Sequence, residues 1–95
     1  MINPTADLFE SIIGQDLKIA AAHGAELWRV VSVSRRNAHS LRDDQPFNLY
    51  LAAPVANDRQ QGIRTCVLPN GETIDLFVVP IAANADAVSF ESVFN

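Results

Sequence analysis

The chain has 95 residues, of which 48% are hydrophobic and 19% charged; that is enough apolar material for one folded domain with its own core and too little length for two. Its net charge of −4 argues against binding nucleic acid or an anionic membrane, since phosphate recognition needs dense positive potential. Cys66 is the single cysteine, which excludes an internal disulfide and a thiolate metal cluster built by one chain.

The first residues, with Asn3, Pro4, Asp7 and Glu10, lack the basic and then apolar regions of a signal peptide. No apolar run approaches the roughly 20 residues of a membrane-spanning helix, so a cytoplasmic protein is expected. The chain then opens on a short helix. Thr5 is placed to cap it, and Asp7 lies in the first turn, where the helix dipole favours negative charge. Leu8, Phe9, Ile12 and Ile13 recur at helical spacing, and Gly14 supplies the stop. So short a helix must pack on something to exist in water, and an open end or face of a sheet is its expected seat.

A strand follows over residues 16–21, with Leu17 and Ile19 on one side and Lys18 on the other. A tight connection through Gly24 leads into a second strand over residues 26–35, apolar on both sides near Trp28 to Val31 and polar beyond. Residues 37–46, NAHSLRDDQP, form the longest interruption. Phe47, Leu49 and Leu51 then alternate with Asn48, Tyr50 and Ala52 as a half-buried strand that Pro54 ends.

After a polar loop, the run 63–68 leads into Asn70-Gly71, a dipeptide suited to the positive φ angles of a type I′ hairpin turn. The return strand, residues 73–81, carries Ile74, Leu76 and Val78 on one face and Phe77, Val79 and Ile81 on the other. Pro80 has no amide proton to give a ladder, so an edge, a bulge or a bend is expected there. Val88, Phe90, Ser92 and Phe94 form one face of the last strand, against Ser89, Glu91 and Val93. Cys66 falls in strand context and reads as a small buried hydrophobe. The expected architecture is mainly β: an antiparallel barrel or sandwich of about six strands with one short N-terminal helix, in a single domain covering residues 1–95.

The motifs FNLYLAAP (residues 47–54), Gln61-Gly62, Asn70-Gly71, LFVVP (76–80) and FESVFN (90–95) occur here in that order. Together with the opening LFESIIGQDLKI, they resemble a family of small bacterial domains of unknown function. The resemblance covers most of the chain, is weak over residues 35–46, and departs after Gln61-Gly62, where this sequence has Ile63-Arg64-Thr65-Cys66. It implies a fold of this kind and, through relatives encoded near phage-tail-like or tail-collar proteins, an accessory or structural role. These are packing motifs, and they carry no chemistry of their own.

Candidate chemical groups are few. His23 sits beside Gly24 in a turn, and neither it nor His39 has carboxylates at a metal-ligand spacing, so no metal and no cofactor is expected. His39 and Ser40 with Asp43 or Asp44 hold the atoms of a serine triad, but one polar loop does not supply the rigid scaffold and oxyanion hole that a triad needs. Asp7 and Glu10 serve the helix start. Arg35, Arg36 and Arg42 around His39 are the best binding candidates, suited to a carboxylate, a phosphate or an acidic protein surface; the plainer reading is a solvated loop that shields a strand end.

Charge is split along the chain. From Trp28 to Arg64 there are six arginines against three aspartates, a net +3, whereas from Thr65 onward Glu72, Asp75, Asp86 and Glu91 stand alone. The sequence therefore points to a non-catalytic structural or protein-interaction module that associates with itself or with a protein partner through sheet edges and the 35–46 loop. The alternative is a small-molecule binding barrel with Trp28, Phe77 or Phe90 lining a cavity, and an enzyme is the distant third.

Overall fold

The computed structural model describes residues 5–21, 24–36, 46–55, 57 and 59–94. The elements are α1 (Ala6–Glu10), β1 (Asp16–Ala21), β2 (Gly24–Arg35), β3 (Phe47–Pro54), β4 (Gly62–Val67), β5 (Thr73–Ala83) and β6 (Ala87–Phe94). The strands close into a barrel in the order β1-β2-β3-β6-β5-β4, and every pairing is antiparallel. This decides between barrel and sandwich. The chain builds two three-stranded meanders, β1-β2-β3 and β4-β5-β6, and joins them along two seams.

The seams are unequal. β3 and β6 run together from Phe47↔Phe94 to Pro54↔Ala87, whereas β1 meets β4 at Lys18↔Val67 and Ile19↔Cys66. Cys66 is buried at the thin seam, its Sγ donating to the Arg64 carbonyl at 3.4 Å. Burial, helped by the negative charge of Asp75, pushes its thiol up to about 12. At pH 8 that leaves roughly one thiolate in ten thousand, against about a quarter for an ordinary cysteine. Iodoacetamide should therefore label the native chain at least about a thousandfold more slowly than the unfolded chain. Labelling within about tenfold of the unfolded rate would show that the seam opens freely.

Alternation decides what lies inside. Leu17 and Ile19 of β1, Trp28 and Val30 of β2, Leu49 and Leu51 of β3, Leu76 and Val78 of β5, and Val88 and Phe90 of β6 are all buried. Trp28 stacks on Phe90 with ring centroids 4.4 Å apart and 23° between planes. A barrel of so few strands fills its interior with side chains, and this stack is the largest part of the filling. The buried Ser92 turns its hydroxyl onto the Phe77 carbonyl at 2.7 Å, which satisfies a polar group that would otherwise be costly there.

Two bulges break the simple period. The β2–β3 register shifts between Val30 and Ser32, and the β5–β6 register between Pro80 and Ala82. Val31 and Ile81 are the extra residues, and both are exposed. The first bulge explains why β2 looked apolar on both sides: Trp28 and Val30 face in before it, and Val33 packs against the core after it. At the second, β5 continues past Pro80 to Ala83, because a bulge removes the need for a ladder donor at proline.

The β4–β5 turn corrects the type I′ expectation. Gly71 has φ +91 while Asn70 is not in the left-handed region; the Gly71 amide donates to the Leu68 carbonyl at 2.9 Å, and the Leu68 amide to the Glu72 carbonyl at 2.8 Å. This is a three-residue loop in which Pro69 and Asn70 form a type I turn and the glycine follows. Proline fixes a φ suited to the first central position of that turn, which moves the turn back by one residue.

The helix seats at one end of the barrel. Thr5 caps it, its Oγ1 accepting from the Leu8 amide at 3.2 Å. Phe9 is buried against Phe47 (5.9 Å between ring centroids) and Phe94 (5.7 Å), which themselves stack at 4.5 Å. Ala6 and Ile12 are buried with it, whereas Ile13 is exposed, since regular helix stops at Glu10 and the stripe does not extend to it. At the exit, Gly14 at φ +90 turns the chain, and its amide donates to the Val30 carbonyl at 2.8 Å.

Candidate interaction face

Arg35 and Arg36 are the described members of the arginine cluster expected to bind a carboxylate, a phosphate or a partner. Arg35 lies at the end of β2 and donates from Nη2 to Asp7 Oδ1 and Glu10 Oε1, and from Nε to Glu10 Oε2 at 3.3 Å. It ties the barrel wall to α1. Arg36 donates to the Phe94 carbonyl, fastening the end of β2 to β6. An external anion at Arg35 would have to displace two of the protein's own carboxylates. His39 and Arg42, with Ser40, Asp43, Asp44 and His23, lie outside the described residues.

The ion pair gives α1 a pH dependence with a definite sign. The hydrogen bond from Arg35 holds the Glu10 carboxyl below its ordinary value of 4.5. A carboxylate depressed in the folded state stabilises it above the unfolded pKa, and that contribution fades as pH falls through the folded value. Arg35→Gln should thus flatten the thermal-stability profile below about pH 4.5 and change it little near neutrality, where solvent screens an exposed pair. An unchanged acid limb in melts between about pH 3 and pH 7 would remove this linkage.

The three groups expected to line a ligand cavity are divided between the inside and the outside of the barrel. Trp28 and Phe90 fill the interior with their stack, and Phe77 points outward. Trp28 Nε1 donates to Glu26 Oε1 at 2.9 Å, an oxygen that also accepts from Asn57 Nδ2 at 2.8 Å. Among the described residues no group of three or more His, Cys, Asp and Glu side chains is gathered to hold a metal, and no helix is long and apolar enough to cross a membrane. An open groove of about 320 Å³ crosses the outside of β1, β2, β3 and β6, with Asp16, Leu27, Arg29, Pro54 and Asp86 among its walls.

The most distinctive surface lies on the outside of β4-β5-β6. Ile63 is paired in register with Phe77. The β5–β6 ladder ends at Val79↔Glu91, and beyond it the Ser92 hydroxyl on the Phe77 carbonyl at 2.7 Å keeps the strands together, so that the same register sets Phe77 beside Val93. These side chains are 68%, 54% and 49% exposed. On strands about 4.8 Å apart they form an apolar row spanning about 10 Å. Asp75 and Glu91, two residues away along β5 and β6, stand about 7 Å to either side of the row. Thr65 Oγ1 donates to Asp75 Oδ1 at 2.9 Å, and Asn48 Nδ2 reaches Tyr50 Oη and Glu91 Oε2 at 3.4 Å each. Asn48, paired with Val93, leaves its Oδ1 buried without a hydrogen-bond partner.

Sequence reasoning did not single out this row, although the signal was there. β5 is apolar on both faces, and a strand in a single closed sheet has only one face to bury. The split in charge survives folding in part: the acid-only segment forms β5 and β6, which are neighbours, so Asp75 and Glu91 share a wall.

Fold and surface together define a small, closed, six-stranded antiparallel barrel with a filled interior and an exposed apolar row on the outside of β4-β5-β6. The chain belongs to the family described as domain of unknown function DUF6916, whose model matches residues 4–94. No curated protein and no solved structure matches it.

Proposed function

We propose that the domain is a non-catalytic structural or protein-interaction module that docks through the outer wall of β4-β5-β6. One observation carries this reading: Ile63, Phe77 and Val93 form a contiguous exposed row that the fold does not use, since the barrel interior is already filled by Trp28, Phe90 and their neighbours. Contiguous exposed apolar residues with a polar border are the usual anatomy of a protein contact. The closed ring changes how such a module would associate. Strand addition at a sheet edge has little to work with outside the thin β1–β4 seam, so contact through a wall is favoured. The finer assignment, an accessory component of a bacterial phage-tail-like assembly working in the cytoplasm, rests on the sequence resemblance.

A photo-crosslinking amino acid at position 77, compared with one at the exposed turn position 72, tests the reading in cells that make the protein. Light-dependent adducts to a polypeptide chain should form at 77 and be absent at 72. Equal labelling at both positions, or none at 77, would overturn it.

A further inference from the structure

We infer that the occupant of the β4-β5-β6 wall is a different protein whose contact surface is apolar at its centre and rimmed by lysine or arginine. This rests on the docking reading above and names the chemistry of the partner. The outward positions of β5 and β6 include Asp75 and Glu91, and the chain has no lysine or arginine after Arg64. The apolar row therefore lies between two carboxylates with no cation on those strands. Charge complementarity across an interface chooses the partner and speeds encounter more than it adds affinity. A surface of this sign admits a cationic rim and rejects an anionic one.

A second copy of the chain is the poorer fit. Each copy carries −4, and the opposite wall, where Leu27 is exposed, opens onto a groove holding Asp16 and Asp86 beside Arg29. Two such surfaces bring carboxylates against carboxylates. Two of the arginines are committed within the fold, Arg35 to Asp7 and Glu10 and Arg36 to the Phe94 carbonyl.

Two synthetic amphipathic helical peptides test the assignment: each has Leu and Phe on one face, one rimmed by lysines and its twin by glutamates. Binding is followed by amide chemical shifts of the full isotope-labelled chain at low ionic strength. The lysine peptide should perturb β4, β5 and β6 around positions 63, 77 and 93, and the glutamate twin should not. The double variant Asp75→Asn/Glu91→Gln should bind the lysine peptide about three- to tenfold more weakly, with added salt removing a similar factor from the native chain. Phe77→Ser should abolish saturable binding, with an otherwise native spectrum showing that it folds.

Equal binding of both peptides at this wall would overturn the cationic rim while leaving the docking reading in place. A lysine peptide that spreads equally over Asp16 and Asp86 shows only general attraction to acids and also overturns it. Association of the peptide-free chain with itself through this wall would replace the proposed partner with a second copy. If neither peptide binds, the inference fails, and the crosslinks at position 77 decide separately whether the docking wall survives.

Discussion

Replacing Phe90 with alanine should destabilise the barrel by about 3–5 kcal/mol, the range for removing a fully buried aromatic ring. Phe90 has no exposed surface, and its ring lies 4.4 Å from that of Trp28, so the variant loses both the transfer of the ring from water and an aromatic pair. Little can collapse into the space. The ring hangs from β6, which is held by register pairs to β3 on one side and β5 on the other, and a closed ladder resists the shift that would fill a void. Small domains are stable by only about 5–15 kcal/mol, so the melting temperature should fall by roughly 15–30 °C. Trp28 is the only tryptophan, and its emission should shift as its stacking partner goes. Phe90→Leu, which keeps much of the volume, should cost distinctly less. A loss below about 1 kcal/mol with unchanged emission would mean that this stack is not the centre of the packing.

The same stack shows how much the sequence disclosed. The alternations of β3 and β6 are strict, and the residues they place inward, from Phe47, Leu49 and Leu51 to Val88, Phe90 and Ser92, are buried. Strand number, strand type and the N-terminal helix follow from period and capping alone. Ring closure does not, because the pairs that close it, Lys18↔Val67 and Ile19↔Cys66, join positions nearly fifty residues apart and leave no local trace. The bulge at Val31 was hidden for a related reason: a period-two reading has no place for an extra residue, and only the partner strand shows it; the one at Ile81 was signalled by Pro80, which has no amide proton for the ladder.

Distance along the chain also hid what Arg35 touches. Arg35 looked like a loop cation available to a ligand because its carboxylates, Asp7 and Glu10, lie 28 and 25 residues earlier. The apolar row failed to stand out for the opposite reason. Ile63, Phe77 and Val93 each read as ordinary strand residues, and only the β4-β5-β6 order places them side by side.

Phe9→Asp should release α1 from the barrel end and cost about as much as the Phe90 truncation, roughly 3–5 kcal/mol. Phe9 is fully buried against Phe47 and Phe94, and a carboxylate placed there would lack any partner, a penalty that the chain avoids by undocking the helix. The cost is therefore capped at what docking supplies, mainly the burial of Phe9, Ile12 and Ala6. A helix of five residues cannot persist alone in water, so amides 8–12 should lose their protection from hydrogen exchange while β3 and β6 keep theirs. The stacked Phe47 and Phe94 rings would then face solvent, and a hydrophobic dye should bind the variant and not the native chain. Arg35→Gln makes the instructive contrast: it removes the ion pairs to Asp7 and Glu10 yet leaves the Phe9 ring in place, so protection of the helix should persist at neutral pH. If Arg35→Gln frees the helix and Phe9→Asp does not, charge and not packing holds α1 to the barrel.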